Sequence, residues 1–369
     1  MANLFDYLAW RGDLPLEKIP FCELDAMILA RLSYLPLEVI VSADMAQTIT
    51  IREASDRIAV KEASEYLWKG DDRLIGMLGE SERFRHLKLS GFVNRIDEKK
   101  TMQFCALIIE LAEDLRFLSF RGTDNTLVGW QEDFNLFYEF PVPSQEEALR
   151  YFEAVYAQLG GEWLLGGHSK GGNLAIYAAS FCGEAPQRSI RAIFNMDGPG
   201  FEPKHLTDST FEQIRERTVT YLPQSSVFGK MFEHREPRVV VQSDEHNLWQ
   251  HDIYSWQVER DKLVRMPGTN STSAFFDQTL TGFVGEMTHE ERKQFVEALF
   301  RLLKSTEHET FDELAEQWLK SGGKILKSFT RLDSDTRSMI LNRLFRFLKK
   351  AGGNLPDRIL PTKDKSQNI

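Results

Sequence analysis

The sequence predicts an α/β protein whose mostly parallel sheet carries helices on both faces. Three observations lead there. Apolar runs with strand character alternate with capped, amphipathic helical runs through the middle of the chain, which is the layout of a parallel sheet covered on both sides. One run, Trp163-Leu164-Leu165, passes through Gly166-Gly167-His168-Ser169-Lys170-Gly171-Gly172-Asn173 into an Ala-rich helical stretch. The chain has 369 residues, room for one large domain or two modest ones at ~150 residues each.

Taken in order, residues 1–90 read as a mainly helical region packed on the sheet. Leu24, Ile28, Leu32 and Leu35 recur at helical spacing, and further helices are predicted over Ala54–Trp68 and Arg73–Phe84. Residues 91–285 read as the α/β core. Strand character begins near Leu89. In Gln103–Leu111, Phe104, Ala106 and Ile108 alternate with Cys105, Leu107 and Ile109, and Ala112-Glu113-Asp114 joins this run to Leu115–Phe120 as a hairpin. Ser144-Gln145-Glu146-Glu147 has the form of a capping box for a helix that stops at Gly160-Gly161. The strand into Ser169 and its helix follow, then strands over Arg191–Met196, Arg217–Leu222 and Arg238–Gln242. Gly200–Glu216, between two of these strands, is a candidate lid. Residues 286–352 read as a helical appendage, from capping boxes at Thr288-His289-Glu290-Glu291 and Thr310-Phe311-Asp312-Glu313 and a helical run over Asp333–Lys350. Residues 353–369 end in a polar stretch expected to be a flexible tail.

Composition narrows the partners. A formal charge of −10 argues against nucleic acid, which calls for basic surfaces. No run approaches the ~18 apolar residues of a membrane span, and Met1–Asp6 lacks the basic-then-apolar layout of a signal peptide. The three cysteines, Cys22, Cys105 and Cys182, are far apart. Two have apolar neighbours and read as buried free thiols, which suits a reducing, cytoplasmic setting. No cluster of histidine, cysteine or carboxylate has metal-site spacing.

Gly167-His168-Ser169-Lys170-Gly171 fits Gly-x-Ser-x-Gly at a strand-to-helix junction, the form of a nucleophile elbow. The turn is so sharp that Gly167 and Gly171 must be small, and the amide of Lys170 points where an oxyanion would form. A phosphate-binding loop would need a different order of residues. A hydrolytic serine also needs a base, an orienting acid and an oxyanion hole. Phe120-Arg121-Gly122-Thr123-Asp124, at the end of a strand, is a candidate for the hole.

Phe120-Arg121-Gly122-Thr123, Trp130, Asp133 and Gly167-His168-Ser169 with Gly171-Gly172 together resemble the class 3 lipases of the α/β-hydrolase fold, over roughly residues 100–255. The resemblance implies that Thr123 donates its backbone amide to an oxyanion and that Asp133 braces the Thr123 loop. It also reads Arg121 as a buried structural arginine and Trp130 as core. The chain further resembles a poorly characterised group of bacterial lipase-like hydrolases. The marks are Tyr7-Leu8-Ala9-Trp10-Arg11-Gly12-Asp13, the lysine of the elbow, and Gln250-His251-Asp252 with Ser255-Trp256.

In this fold serine, acid and histidine follow in that order, so the base belongs after Arg238–Gln242. His246 and His251 both follow, and the resemblance favours His251. His168 reads as structural, and the remaining histidines, His205 and His234 among them, as solvated. Lys170 stands where lipases carry an apolar residue. It reads as a solvated or surface-paired lysine, or as a charge at the site mouth selecting an anionic substrate. The acid is the departure from class 3 lipases: the strand that precedes it there is followed here by Pro223-Gln224-Ser225-Ser226-Val227, without a carboxylate. Asp197, at the end of the strand after the nucleophile, is the expected acid, a placement similar to that of vertebrate pancreatic-type lipases. Asp244 and Asp252 are its rivals, and a missing acid is the remaining alternative.

The expected function is that of a serine hydrolase cleaving an ester or thioester of a small acyl compound or a lipid, without a cofactor and with transient membrane-surface contact open. A peptidase or amidase on the same residues, or an inert binding or regulatory protein of the same fold, are the alternatives.

Overall fold

Phe104, Ala106 and Ile108 face one buried core, and the alternating Cys105, Leu107 and Ile109 face another on the opposite side of the sheet. The period-2 geometry of an extended chain makes this division. The computed structural model describes residues 1–59, 65–206 and 208–305, with isolated positions between 310 and 342.

Helices α1 (Leu4–Arg11) and α2 (Glu23–Leu32) precede the short strand β1 (Ile49–Thr50), α3 (Ile51–Ile58) and α4 (Asp71–Glu80). Strands β2 (Lys88–Asp97), β3 (Met102–Ala112) and β4 (Leu115–Phe120) follow, then α5 (Leu127–Asn135) and α6 (Pro143–Leu159). Next come β5 (Glu162–His168), α7 (Lys170–Phe181), α8 (Glu184–Ser189), β6 (Ile190–Met196), α9 (Asp208–Arg215), β7 (Thr218–Pro223) and β8 (Arg238–Val241). A small hairpin, β9 (Val258–Glu259) and β10 (Lys262–Leu263), leads to α10 (Ser271–Gly285) and α11 (His289–Lys304).

The first eight strands form one sheet in sequence order. Pairing is antiparallel from β1 to β4 and parallel from β4 to β8. Residues of α1 to α4 and of the segment 253–263 cover one face with Phe117 and Leu164, while α6, α7 and α9 cover the other with Leu118 and Leu165. A mostly parallel sheet with helices on both faces and a strand–serine–helix turn at its centre is an α/β-hydrolase fold. Ligands of such sheets lie at the carboxyl ends of the parallel strands. The register puts Phe120 beside Gly167, and His168 beside Met196, at that edge.

Several local expectations are corrected. The helix expected over Ala54–Trp68 begins at Ile51, because Thr50 and Glu53 form a capping box, and it ends at Ile58. Helix α6 does not start from a Ser144 cap. Pro143 occupies its first position, where a missing N–H costs nothing, and Gln145 Oε1 accepts the Val142 amide at 3.0 Å. The candidate lid Gly200–Glu216 contains α9, whose Phe211 and Ile214 are buried in the core with α7, so it is a packed crossover. Helix α10, with Phe-Phe among small polar residues, shows too little periodicity to be read from sequence. The Thr288 capping box opens α11 as expected. The helix expected over Asp333–Lys350 and the Thr310 capping box lie largely outside the described residues, and the tail 353–369 does so entirely.

Candidate active site

Ser169 is the residue between β5 and α7, at φ +58° and ψ −136°. A non-glycine residue holds such a conformation only where its surroundings dictate it. Here the neighbours dictate closeness: a Cβ on Gly171 would come within 2.1 Å of the Phe120 carbonyl, and one on Gly167 within 2.3 Å of Gly171. The Ser169 amide donates to the Met196 carbonyl at 2.9 Å, tying the turn to the end of β6. Lys170 is the first residue of α7, so its amide is among those a helix leaves without an internal acceptor.

One strand over, Asp197 continues β6 into a turn with φ +54°, and its amide donates to the Tyr221 carbonyl at 2.8 Å. Its carboxylate is fully buried. Oδ2 lies 2.7 Å from His251 Nδ1, and Oδ1 accepts the hydroxyl of Ser226. His251 ends a short 3-10 turn after β8 and keeps 12% of its side chain exposed. Its ring packs against those of Phe228 and His168, with centroids 4.5 and 4.4 Å away. The two rival carboxylates are engaged elsewhere. Asp244 accepts Gln257 Nε2 at 2.6 Å and lies 3.4 Å from the terminal amine of Met1, and Asp252 accepts the Tyr254 amide at 3.0 Å. His246 is exposed.

On the other side of the elbow, the loop after β4 lies directly against it. A Cβ on Gly122 would fall 2.5 Å from the His168 carbonyl oxygen and 2.9 Å from Ser169 Cβ. Thr123, the next residue, donates its hydroxyl to Asp133 Oδ2. Arg121 is buried and bonds Asn94 Oδ1 at 2.8 Å and Asp124 Oδ2 at 3.1 Å. Trp130 is half-buried rather than core.

Lys170 corrects both sequence readings of its side chain. It neither meets solvent nor lines the site mouth. It is 1% exposed, and Nζ lies 2.8 Å from Glu132 Oε2 and 3.4 Å from Asp133 Oδ1. Burial alone would lower its pKa, but Glu132 and Asp133 outweigh this and raise it above the ordinary value. Burial pushes the Asp133 carboxyl up, with Lys170 and Thr123 opposing. Glu132 also accepts the amides of Gln103 at 3.0 Å and Ser144 at 2.7 Å, which joins β3 and the start of α6 to the cluster. Of the histidines expected to be solvated, one is buried and one is half-buried. His234 is buried with Nδ1 2.7 Å from Glu236 Oε1, and His205 stacks on Phe140 at 3.8 Å. His168 is buried at the floor of the site, and burial, then His251 and Arg31, hold its pKa well below the usual imidazole range.

The arrangement gathers a strained, turn-held serine, an imidazole on a buried carboxylate, and two amide-bearing segments at one sheet edge. Sequence reasoning missed Ser226, Phe228, Tyr34 and the burial of Lys170. Only Lys170 carried a signal, as a lysine in a position that otherwise reads as apolar.

A family model described as Mbeg1-like matches residues 78–301 of this chain. No curated protein matches it. Among solved structures, the chain is similar to one described as a fungal lipase at 14% identity, with 67% of this chain and 86% of that one covered and a TM-score of 0.39. It is also similar to lipase II from Rhizopus niveus at 18% identity, with 39% and 63% covered and a TM-score of 0.30. A Rhizomucor miehei lipase propeptide complex is similar at 12% identity, with 59% and 65% covered and a TM-score of 0.35.

Proposed function

The chain belongs to the Mbeg1-like family, and we propose that it is a serine hydrolase of lipase or esterase type, cleaving a carboxylic ester or thioester through an acyl-enzyme on Ser169. The observation that carries the reading is the 2.7 Å contact of His251 Nδ1 with the buried Asp197, reached from the strand end beside that of Ser169. With Nδ1 donating to the carboxylate, Nε2 is the bare nitrogen, able to take a proton.

The reaction follows from these parts. Ser169 Oγ bonds to the substrate carbonyl carbon while its proton passes to His251 Nε2, and Asp197 stays ionised to hold the imidazolium. The oxyanion meets the amides of Thr123 and Lys170. The carbon–oxygen or carbon–sulfur bond breaks, the leaving group takes the proton from His251, and a water activated by the same nitrogen releases the acid from Ser169. No step calls for a cofactor. The substrate is a small acyl ester or a lipid. No helix among the described residues is long and apolar enough to cross a membrane. A cytoplasmic setting is supported by three cysteines that are all free.

Ser169→Ala tests the reading. The small side chain suits the turn, so the protein should fold, while hydrolysis of p-nitrophenyl butyrate should fall on the order of 10³-fold or more as the covalent route is lost. A fluorophosphonate probe should label the wild type at one serine and leave the variant unlabelled. Full activity in the variant would end the proposal.

A further inference from the structure

Tyr34 follows α2 by two residues and is 2% exposed. Its hydroxyl meets two of the three segments around Ser169. It accepts the amide of Gly122, in the loop after β4, at 3.0 Å. It lies 3.1 Å from the His168 carbonyl oxygen, in the elbow, and 3.3 Å from His168 Nδ1. The His168 ring reaches the third segment, with Nε2 2.8 Å from the carbonyl oxygen of His251. A carbonyl only accepts, so Nε2 carries the proton and Nδ1 is bare. The single Tyr34 proton then serves the two acceptors of His168, and the Tyr34 oxygen serves Gly122. The chain thus runs from the His251 carbonyl through the neutral His168 ring and the Tyr34 hydroxyl to the Gly122 amide. The burial that keeps His168 neutral therefore agrees with the geometry.

A second line fastens the same segments from below. Arg31 lies over the Tyr34 ring at 4.1 Å and bonds Asp71 through Nε at 2.8 Å and Nη2 at 3.0 Å. Asp71 also accepts the hydroxyl of Tyr254, three residues after His251, at 2.6 Å.

We propose that Tyr34 and His168 are positioning residues, which set the His251 ring and the Thr123 amide relative to Ser169 through the Tyr34 hydroxyl and the His168 Nε2–H. This rests on the hydrolase reading for its effect on turnover, but the network itself is separate from it. Both side chains are buried. They act on the distance between reacting groups, where a displacement of about 1 Å costs on the order of 10²-fold in rate.

The test uses the full chain with Tyr34→Phe, His168→Leu and His168→Gln, read by kcat and KM on p-nitrophenyl butyrate and by the ring ¹⁵N signals of His251. Tyr34→Phe removes one oxygen and keeps the ring, so it reports even where His168→Leu fails to fold. We expect kcat to fall ~10- to 100-fold in Tyr34→Phe and His168→Leu with KM within about twofold, the pattern of lost transition-state alignment. His168→Gln should recover most of kcat, because its carboxamide can donate to the His251 carbonyl. Equal losses in the leucine and glutamine variants, or an unchanged kcat in Tyr34→Phe, would overturn the proposal. If the wild type neither turns over ester nor takes up fluorophosphonate, the hydrolase reading fails, and the ring signals decide the network alone. Displacement of the His251 signals in His168→Leu and their return in His168→Gln support it, and unmoved signals refute it.

Discussion

The two sides of the elbow handle buried carboxylates in opposite ways. Within α5, the buried Glu132 and the half-buried Asp133 face the ammonium of Lys170. Beside β6, Asp197 faces a serine hydroxyl and an imidazole. A buried charge is costly unless paired and hydrogen-bonded. The lysine answers that cost with a permanent counter-charge, and Asp133 also accepts the Thr123 hydroxyl. The imidazole answers it only in part while neutral, so the field of Asp197 is directed at a group that gains a proton during the proposed reaction. One side is built to stay as it is, and the other to strengthen when charge develops.

The largest effect should come from removing the charge on the second side. In the serine-protease template an acid-to-amide change that leaves the geometry intact lowers turnover by ~10⁴, because the imidazole takes the wrong tautomer. Asp197→Asn should lower ester hydrolysis at least about a hundredfold on the same grounds. Thermal unfolding should change little, since asparagine accepts the left-handed φ of this position. An active Asp197→Asn would break the comparison at its centre. A dead Asp244→Asn alongside it would move the acid to the next strand end.

On the lysine side the effect should appear in stability. Lys170→Met leaves two carboxylates without their cation and should cost about 3–5 kcal/mol in urea unfolding, the range for breaking a buried pair on one side. Lys170→Met combined with Glu132→Gln and Asp133→Asn removes the uncompensated charge and should regain much of that loss. If the single variant is as stable as the wild type, the lysine is not what compensates Glu132 and Asp133.

The elements that were legible in the sequence are those encoded by near neighbours. The alternation in β3, the three-residue turn to β4 and the Gly-x-Ser-x-Gly turn each depend on residues a few positions apart. The adjacency of Ser169 and Asp197 was legible at one remove, because strand order in a parallel sheet places successive strand ends side by side. The burial of Lys170 was not, because its partner lies 38 residues away and nothing in the local pattern separates a buried lysine from a solvated one. Tyr34 lies 88 residues from Gly122, and its part in the site appears only once α2 is packed on the sheet. His86 and His289 are exposed as expected, but His234 is buried, because polar neighbours in sequence say little about neighbours in space.

Ser226 offers the smallest effect and the finest test of the contrast. It belongs to the segment after β7, where the class 3 lipases that this chain resembles carry their acid. Here that segment supplies a hydroxyl instead, donated to Asp197 Oδ1 across 29 residues. The hydroxyl does two things for a carboxylate with no cation: it satisfies one oxygen, and it turns the other toward His251 Nδ1. Ser226→Ala removes a hydrogen bond to a charged group, worth about 1.5–3 kcal/mol where the acceptor is left unsatisfied. Part of that loss should fall on folding and part on turnover, since a less well-held carboxylate still faces the imidazole. A fall in kcat of roughly 3- to 10-fold, with unfolding shifted by about 1 kcal/mol, is the expected result. The same change should leave the lysine side untouched, so its loss should add to that of Lys170→Met, as for independent sites. Strong non-additivity would mean that the two sides share one network through the elbow and that the contrast between them is less sharp than their contacts suggest.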